Sequence, residues 1–228
     1  MIFDHPYRNL LIALVLTFMG YPILIVGGGL GRTLELLLLI LVMATASLVR
    51  FGRTRRSLWV IGLSDIVIMI WAVSLLKPDF EFLRFIRVAL VVGYMGMIAG
   101  WLLEDVFRAR NVSSKDRLYG SMAMYLVIGV FFGNLYSAVN VLAPGSFECV
   151  TNLCQGDFAN QFDRGWQLYY SFVTLTTLGF GDIVPTTTVA AMLSSLEAIV
   201  GQLYVAIVVA RLVGIHLMDS VRKDGEPP

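Results

Sequence analysis

Apolar residues are gathered into long uninterrupted runs along this chain, and polar residues are confined to short stretches between them. A helix that crosses the hydrocarbon core of a bilayer needs about 20 mostly apolar residues. Six runs approach or exceed that length, so the pattern predicts six membrane-spanning helices, at residues 9–26, 33–49, 58–76, 82–103, 118–142 and 189–218. A seventh apolar stretch, 166–177, is too short to cross and predicts a helix that enters the bilayer and turns back.

The composition supports a membrane protein and excludes several other classes. Of the 228 residues, 57% are apolar and 14% are charged, against about 25% charged residues in an ordinary soluble domain. Six spans would use about 120 residues, which leaves no room for a cytoplasmic catalytic domain. The net charge of +1 gives no basis for binding a polyanion, so nucleic acid is not an expected partner. We also do not expect an enzyme, because the spans lack a cluster of acidic, His or Ser residues.

The positions of Lys and Arg predict the orientation, because basic residues in short loops are retained on the cytoplasmic side. If the spans alternate, twelve of the 17 basic residues fall on one side, namely Arg8, Arg50, Arg53, Arg55, Arg56, Arg108, Arg110, Lys115, Arg117, Arg211, Arg222 and Lys223. The other side holds Arg32, Lys77 and Arg164. We therefore expect a multi-pass membrane protein with both termini cytoplasmic and residues 143–165 external.

The segment between the re-entrant helix and the last span contains the residues that say most about function. Residues 174–182 read Thr-Leu-Thr-Thr-Leu-Gly-Phe-Gly-Asp. A cation that crosses a bilayer without its water shell needs fixed oxygens, which backbone carbonyls supply without net charge. Carbonyls in helices and strands are already hydrogen-bonded, so the lining must be irregular backbone beside a cavity. Gly179 and Gly181 suit this because glycine reaches positive φ cheaply. The pattern predicts carbonyls of residues 177–180 turned inward, with the Thr177 hydroxyl as a further oxygen.

This segment resembles the selectivity filter of the potassium channel family, which is usually written T-V-G-Y-G-D and preceded by T-x-T-T. The resemblance covers residues 118–218, and the run from Glu197 to Val213 is similar to the inner helix of bacterial members. It implies passive conduction of K⁺ with no cofactor, through a filter formed by Thr177, Leu178, Gly179, Phe180, Gly181 and Asp182, with K⁺ bound at the first four of these.

The resemblance also implies roles for residues around the filter. Tyr169 and Tyr170 occupy positions where the family often has a pair of Trp residues that brace the filter. Gly201 follows Asp182 at the distance where many members have a hinge glycine in the inner helix. One chain supplies one filter segment, so a closed pore needs a ring of four chains. The expected assembly is a homotetramer in membrane lipid, and the resemblance to bacterial members implies a bacterial-type plasma (inner) membrane.

Two filter residues depart from the family pattern. Leu178 replaces the usual Val, and Phe180 replaces the usual Tyr. Both changes keep the backbone carbonyls, but the missing hydroxyl of residue 180 removes one hydrogen bond behind the filter. We expect a softer filter that inactivates faster. The departures leave open a non-selective monovalent cation channel, and a potassium transporter pore subunit is the other alternative, although such chains carry four filter-like segments.

The four spans before this region resemble the voltage-sensor domain of six-helix channels, but their charges are sparse. Arg84 and Arg87 begin the pattern of an arginine at every third position, which then stops. We expect weak or absent voltage dependence. In the alternative interpretation, both arginines only extend their charged ends to the outer lipid headgroups. Asp65 in the third span is an intramembrane acid, which is costly unless paired. It is predicted either to partner a fourth-span arginine or to lie in a water-filled crevice or a structural hydrogen bond.

The sequence leaves more than one possible role open for each of three residues, Glu197, Gly201 and Asp182. Glu197 supports the filter by bonding to Thr or Tyr hydroxyls behind it, or it faces the cavity and concentrates cations. Gly201 is a gating hinge, or it permits close packing of helices. Asp182 accepts a hydrogen bond from Tyr170, or it gives negative charge to the outer mouth.

The two cysteines, Cys149 and Cys154, both fall in the predicted external loop. Cysteines in an oxidising compartment usually pair, so a disulfide is expected, with free thiols as the alternative. The full prediction is an all-α membrane protein with three parts. Residues 1–110 form a four-helix sensor-like domain, residues 111–218 form the pore domain, and residues 219–228 form a short cytoplasmic tail.

Overall fold

The computed structural model describes residues 6–26, 81–108, 114–151 and 165–224. In these ranges the chain forms helices α1 (Pro6–Val26), α2 (Glu81–Arg108), α3 (Ser114–Leu142), α4 (Trp166–Leu175) and α5 (Thr188–Asp224), and strands β1 (Phe147–Cys149) and β2 (Ile183–Pro185). The predicted spans 33–49 and 58–76 lie outside the described residues.

Two of the described helices are long and apolar enough to cross a membrane. Their apolar segments are Leu118–Leu142 in α3 and Thr188–Arg211 in α5. Shorter apolar segments occupy Tyr7–Gly20 in α1 and Ala89–Glu104 in α2. The helix α5 continues to Asp224, so the first part of the predicted tail is helical, and the domain boundary at residue 218 stays a prediction. The described residues therefore support a helical membrane protein, and the count of six spans stays a prediction.

Helix α3 is the centre of the packing, with α1 and α2 on its surface. Apolar positions spaced by three or four residues place one face of a helix against a neighbour. On α1 these buried positions are Tyr7, Leu10 and Leu14, and on α2 they are Val91, Met95, Ile98 and Leu102. They pack into one core with Ala123, Met124, Val127, Ile128 and Phe132 of α3.

Helix α4 packs on α3 where two glycines, Gly129 and Gly133, lie one turn apart. A Cβ on Gly129 would lie 2.7 Å from the ring of Phe172, and a Cβ on Gly133 would lie 3.3 Å from the carbonyl oxygen of Gln167. Small residues four positions apart let helices approach closely within a membrane. This close approach fixes α4 against α3, and α4 leads directly into the segment that the sequence singles out.

A short antiparallel ribbon is a feature that the all-α prediction misses. Strands β1 and β2 pair Phe147 with Pro185 and Cys149 with Ile183. The ribbon joins the loop that follows α3 to the segment that follows the predicted filter. Strands of three residues carry too little alternation of polar and apolar positions to be recognised in a sequence.

Candidate functional site

The candidate site is the irregular segment from Thr176 to Asp182, which follows α4 without a break. Helix α4 begins at Trp166, as predicted, and ends at Leu175. Thr176 closes the helix, because its backbone N–H and its hydroxyl both donate to the carbonyl of Phe172, at 3.1 Å and 2.6 Å. The C-terminus of a helix carries partial negative charge, which favours a cation beside it.

The backbone of this segment alternates between positive and negative φ. Thr177, Gly179 and Gly181 have φ values of 57°, 58° and 73°, whereas the residues between them have negative φ. A β-branched residue in the left-handed region is a genuine outlier, so surrounding contacts must hold Thr177 there. A backbone whose φ alternates in sign is neither helix nor strand, which is the irregular backbone that a lining at membrane depth requires.

The hydrogen bonds of the segment use its N–H groups and leave its carbonyls open. The N–H of Thr177 donates to Thr174 O at 2.9 Å, and the N–H groups of Leu178 and Gly179 donate to Val173 O at 2.9 and 3.3 Å. Within the described part of the chain, the carbonyls of residues 177–181 accept no hydrogen bond. Residues 176–181 are also exposed in the single chain. The segment therefore presents a row of unpaired oxygens, which is the chemistry that a dehydrated cation needs.

The outer end of the segment is held by Asp182, which is buried. Its Oδ2 accepts a hydrogen bond from the Tyr169 hydroxyl at 2.6 Å, and its Oδ1 accepts one from the N–H of Ile183 at 3.0 Å. Its backbone carbonyl accepts the N–H of Val150 at 2.9 Å. The donor is Tyr169 and not Tyr170, so the first of the two alternatives for Asp182 holds with a different tyrosine.

Loss of the Tyr169 hydroxyl should shorten the lifetime of the ordered segment. A hydrogen bond to a carboxylate contributes about 1.5–3 kcal/mol, so we expect Tyr169→Phe to shorten single-channel open times by about tenfold. The matched control is Tyr170→Phe, because Tyr170 is the next residue on α4 and its hydroxyl contacts Ser194 Oγ at 2.7 Å instead of Asp182. Open times that fall equally in both variants would contradict a specific role for Tyr169.

Tyr170 instead belongs to a cluster of aromatic rings that fixes α4 from behind. Its ring meets those of Tyr136 and Phe147 edge to face, with centroids 5.0 and 5.3 Å apart. Phe147 of β1 also contacts Trp166 at the start of α4, with centroids 4.9 Å apart. The two tyrosines therefore make different contacts: Tyr169 bonds to Asp182 at the end of the segment, and Tyr170 anchors α4.

Glu197 on α5 is fully buried between α3 and α4, so it does not face an open cavity. Its Oε2 lies 2.5 Å from the hydroxyl of Tyr136, and its Oε1 lies 2.5 Å from the hydroxyl of Ser171. The Ser171 hydroxyl also lies 2.7 Å from Gly129 O, which can only accept. A serine hydroxyl has a single proton to donate. All three contacts are hydrogen bonds only if Glu197 is protonated and donates to Ser171, which in turn donates to Gly129.

Gly201 lies where α5 passes the end of α4. A Cβ at this position would collide with the carbonyl oxygen of Leu175 and lie 3.0 Å from Cδ1 of the same residue. The structure therefore gives Gly201 a role in close packing of helices. A hinge at Gly201 stays a prediction.

We expect Gly201→Ala to destabilise the protein by about 1–3 kcal/mol, because the added carbon meets a backbone atom that cannot rotate away. Thermal unfolding of the detergent-solubilised protein measures the effect. Gly214→Ala is the matched control, since Gly214 lies on the same helix with nothing within 4 Å of its Cβ position, and alanine favours a helix over glycine by about 1 kcal/mol. An unchanged midpoint in Gly201→Ala would show that the backbones can separate without cost.

The remaining predicted residues are only partly described. Arg84 and Arg87 lie on α2, but their side chains are outside the described part of the structure, as is Asp65. Cys149 on β1 takes part in a disulfide bond. Cys154 lies outside the described residues, so the pairing of the two cysteines stays a prediction.

Four residues of the site were not marked by the sequence: Tyr136, Ser171, Ser194 and Gln202. The first two complete the contacts of Glu197, Ser194 contacts Tyr170, and the Gln202 amide donates to the Thr177 hydroxyl at 3.2 Å. Each is a polar residue within a run of apolar residues. This pattern is visible in the sequence and could have marked all four. Which polar residues meet depends on how three helices cross, which the sequence alone does not give.

The comparison with protein families adds to this geometry. Residues 121–216 match the family model for an ion channel. The match supports an ion channel in a membrane, and an ion channel domain indicates a protein that is not an enzyme. It covers less than half of the chain, from α3 to α5, and includes neither α1 nor α2. No solved structure gives a significant match to the chain.

Proposed function

We propose that this protein is a potassium-selective channel in which four copies of the chain surround one pore. In this proposal K⁺ passes the carbonyls of Thr177, Leu178, Gly179 and Phe180, and Asp182 closes the outer end of the filter. Conduction is passive, and the ion is the only ligand. The lipid bilayer is the other partner, with both termini in the cytoplasm.

The observation that carries the proposal is the backbone of residues 177–181. Its φ values alternate in sign, the N–H groups of residues 177–179 bond back to α4, and its carbonyls accept no hydrogen bond within the described residues. Unpaired carbonyls at membrane depth cost several kcal/mol each unless water or an ion satisfies them. A ring of such carbonyls around a pore would repay this cost by binding a dehydrated cation.

The surface of α5 supports an assembly of several copies. Along this helix the residues that face α3 and α4 are Ala190, Ser194, Glu197, Gly201 and Tyr204, all buried. A second face carries an apolar stripe in which at least half of each side chain is exposed, formed by Val189, Met192, Leu196, Ile199 and Leu203. Steps of three and four residues are typical of a seam between helices. We place this stripe against the neighbouring chain in the proposed tetramer.

The proposed channel has shallow voltage dependence. Moving one charge through 100 mV is worth about 2.3 kcal/mol, and steep sensors carry three or four such charges per subunit. The fourth predicted span has Arg84 and Arg87 only.

One recording from purified protein reconstituted in a planar bilayer tests both the K⁺ selectivity and the shallow voltage dependence. With a K⁺ gradient opposed by a Na⁺ gradient, we expect the current to reverse near the K⁺ equilibrium potential, and the conductance to change little between −100 and +100 mV. A reversal near zero would favour a non-selective cation pore and implicate Leu178 and Phe180. A steep conductance–voltage curve would contradict the shallow sensor and leave the filter unaffected.

A further inference from the structure

Gln202 places a polar group at the inner end of the proposed filter. Its Nε2 donates a hydrogen bond to Thr177 Oγ1 at 3.2 Å, and both side chains are exposed in the single chain. Thr177 is the first residue of the filter, and its hydroxyl is one of the oxygens predicted to bind the cation. The Gln202 amide therefore contacts an oxygen that a permeating ion would also use.

The packing of α5 explains why this side chain reaches the filter. Gly201 brings the backbone of α5 against the carbonyl of Leu175, the last residue of α4. Successive residues of a helix point about 100° apart, so Gln202 diverges from the apolar stripe that contains Leu203. The side chain is thus directed from the closest point between the two helices toward the start of the filter, and away from the proposed contact between chains.

The amide and a cation compete for the same hydroxyl. A threonine hydroxyl offers two lone pairs, and the N–H of Gln202 occupies one of them. That N–H also carries partial positive charge, which lies next to the position of the ion and opposes its binding. Conduction requires sites that bind an ion firmly enough for entry and weakly enough for release.

We propose that Gln202 is a specificity-determining residue that weakens cation binding at the innermost position of the filter. Cations that arrive from the cytoplasmic side then move on instead of blocking the pore. This inference rests on the proposed function, because it needs a conducting filter whose inner end faces the cytoplasm.

Block by Ba²⁺ applied to the cytoplasmic side of the reconstituted full-length protein tests the proposal. Ba²⁺ is close to K⁺ in size but has twice its charge, so the same partial charge repels it twice as strongly. We expect Gln202→Leu to lower the half-blocking Ba²⁺ concentration about fivefold, the effect of one hydrogen bond. Gln202→Glu should lower it at least tenfold, because it replaces the N–H by a carboxylate in every subunit. Gln202 is exposed, so these variants are expected to fold.

Two further variants separate the hydrogen bond from other effects. Gln202→Asn keeps an amide that is too short to reach Thr177 from the same backbone position, so it should behave like Gln202→Leu. Ser195→Ala is the control for removing an exposed polar group from α5, because the Ser195 hydroxyl bonds to Ala191 O within the helix. Its Ba²⁺ block should equal that of the wild type.

The outcomes distinguish this inference from the proposed function. Potassium currents with unchanged or weaker Ba²⁺ block in Gln202→Leu would overturn the role of Gln202 alone, and so would wild-type block in Gln202→Asn. A wild-type protein that conducts no K⁺ would overturn the proposed function, and the inference with it.

Discussion

Replacing Gly179 by alanine should abolish selective K⁺ conduction while the protein still folds. Gly179 has a φ of 58°, and a Cβ there would meet nothing within 4 Å in the chain. The penalty is therefore one of backbone conformation and not of collision. A left-handed conformation costs an L-residue about 1–2 kcal/mol, and a ring of four chains bears this cost four times. Relief of the strain rotates a neighbouring carbonyl away from the ion path, so we expect the K⁺ current to fall by at least tenfold and the K⁺/Na⁺ preference to be lost.

Gly145 supplies a matched control for Gly179. It has a φ of 83°, a Cβ there would also meet nothing within 4 Å, and it lies in the turn between α3 and β1. Gly145→Ala therefore introduces the same kind of strain outside the filter, and its reversal potential should match that of the wild type. Equal losses in the two variants would attribute the effect to general destabilisation. Normal selectivity in Gly179→Ala would remove the requirement for a left-handed residue at this position.

The sequence predicted the parts of the fold that depend on local patterns. Runs of apolar residues gave α3, α4 and α5 with boundaries close to those observed, because helices that cross or enter a bilayer need an unbroken apolar sequence. The two glycines of the filter predicted positive φ at positions 179 and 181. The third left-handed residue, Thr177, was not predicted, because threonine disfavours that conformation, and in the structure its N–H donates to Thr174 O.

Contacts between helices were predicted less well than the helices themselves. The sequence offered Tyr170 as one possible donor to Asp182, but adjacent residues on a helix point in different directions, and Tyr169 is the one that bonds to Asp182. Glu197 was expected behind the filter, and it does lie in the protein interior. Its partners Tyr136 and Ser171 come from positions 61 and 26 residues away. Contacts over such distances depend on the packing of α3, α4 and α5 and not on spacing in the sequence.

The second large effect is expected on stability when Glu197 is replaced. The loss in free energy of unfolding should depend on whether the new side chain keeps the hydrogen bonds, and not on its charge. A protonated carboxyl offers one donor and one acceptor, and the carboxamide of glutamine offers both in nearly the same shape, with one further N–H. Glu197→Gln should therefore change the free energy of unfolding by less than about 1 kcal/mol. Glu197→Leu deprives the buried Tyr136 hydroxyl of its partner, which costs about 1–3 kcal/mol. Glu197→Ala also opens a cavity, and we expect a total of about 3–5 kcal/mol.

Two measurements check this order at Glu197. Thermal unfolding of the purified protein should rank the variants as Gln, then Leu, then Ala, from least to most destabilised. Infrared spectroscopy should show the carbonyl stretch of a protonated carboxylic acid in the wild type, and this band should vanish in Glu197→Gln. Absence of the band from the wild type would mean that Glu197 is ionised. The single proton of Ser171 could then serve only one of its two acceptors, Glu197 and Gly129, and the three-helix junction behind the filter would contain one unfavourable contact between oxygens.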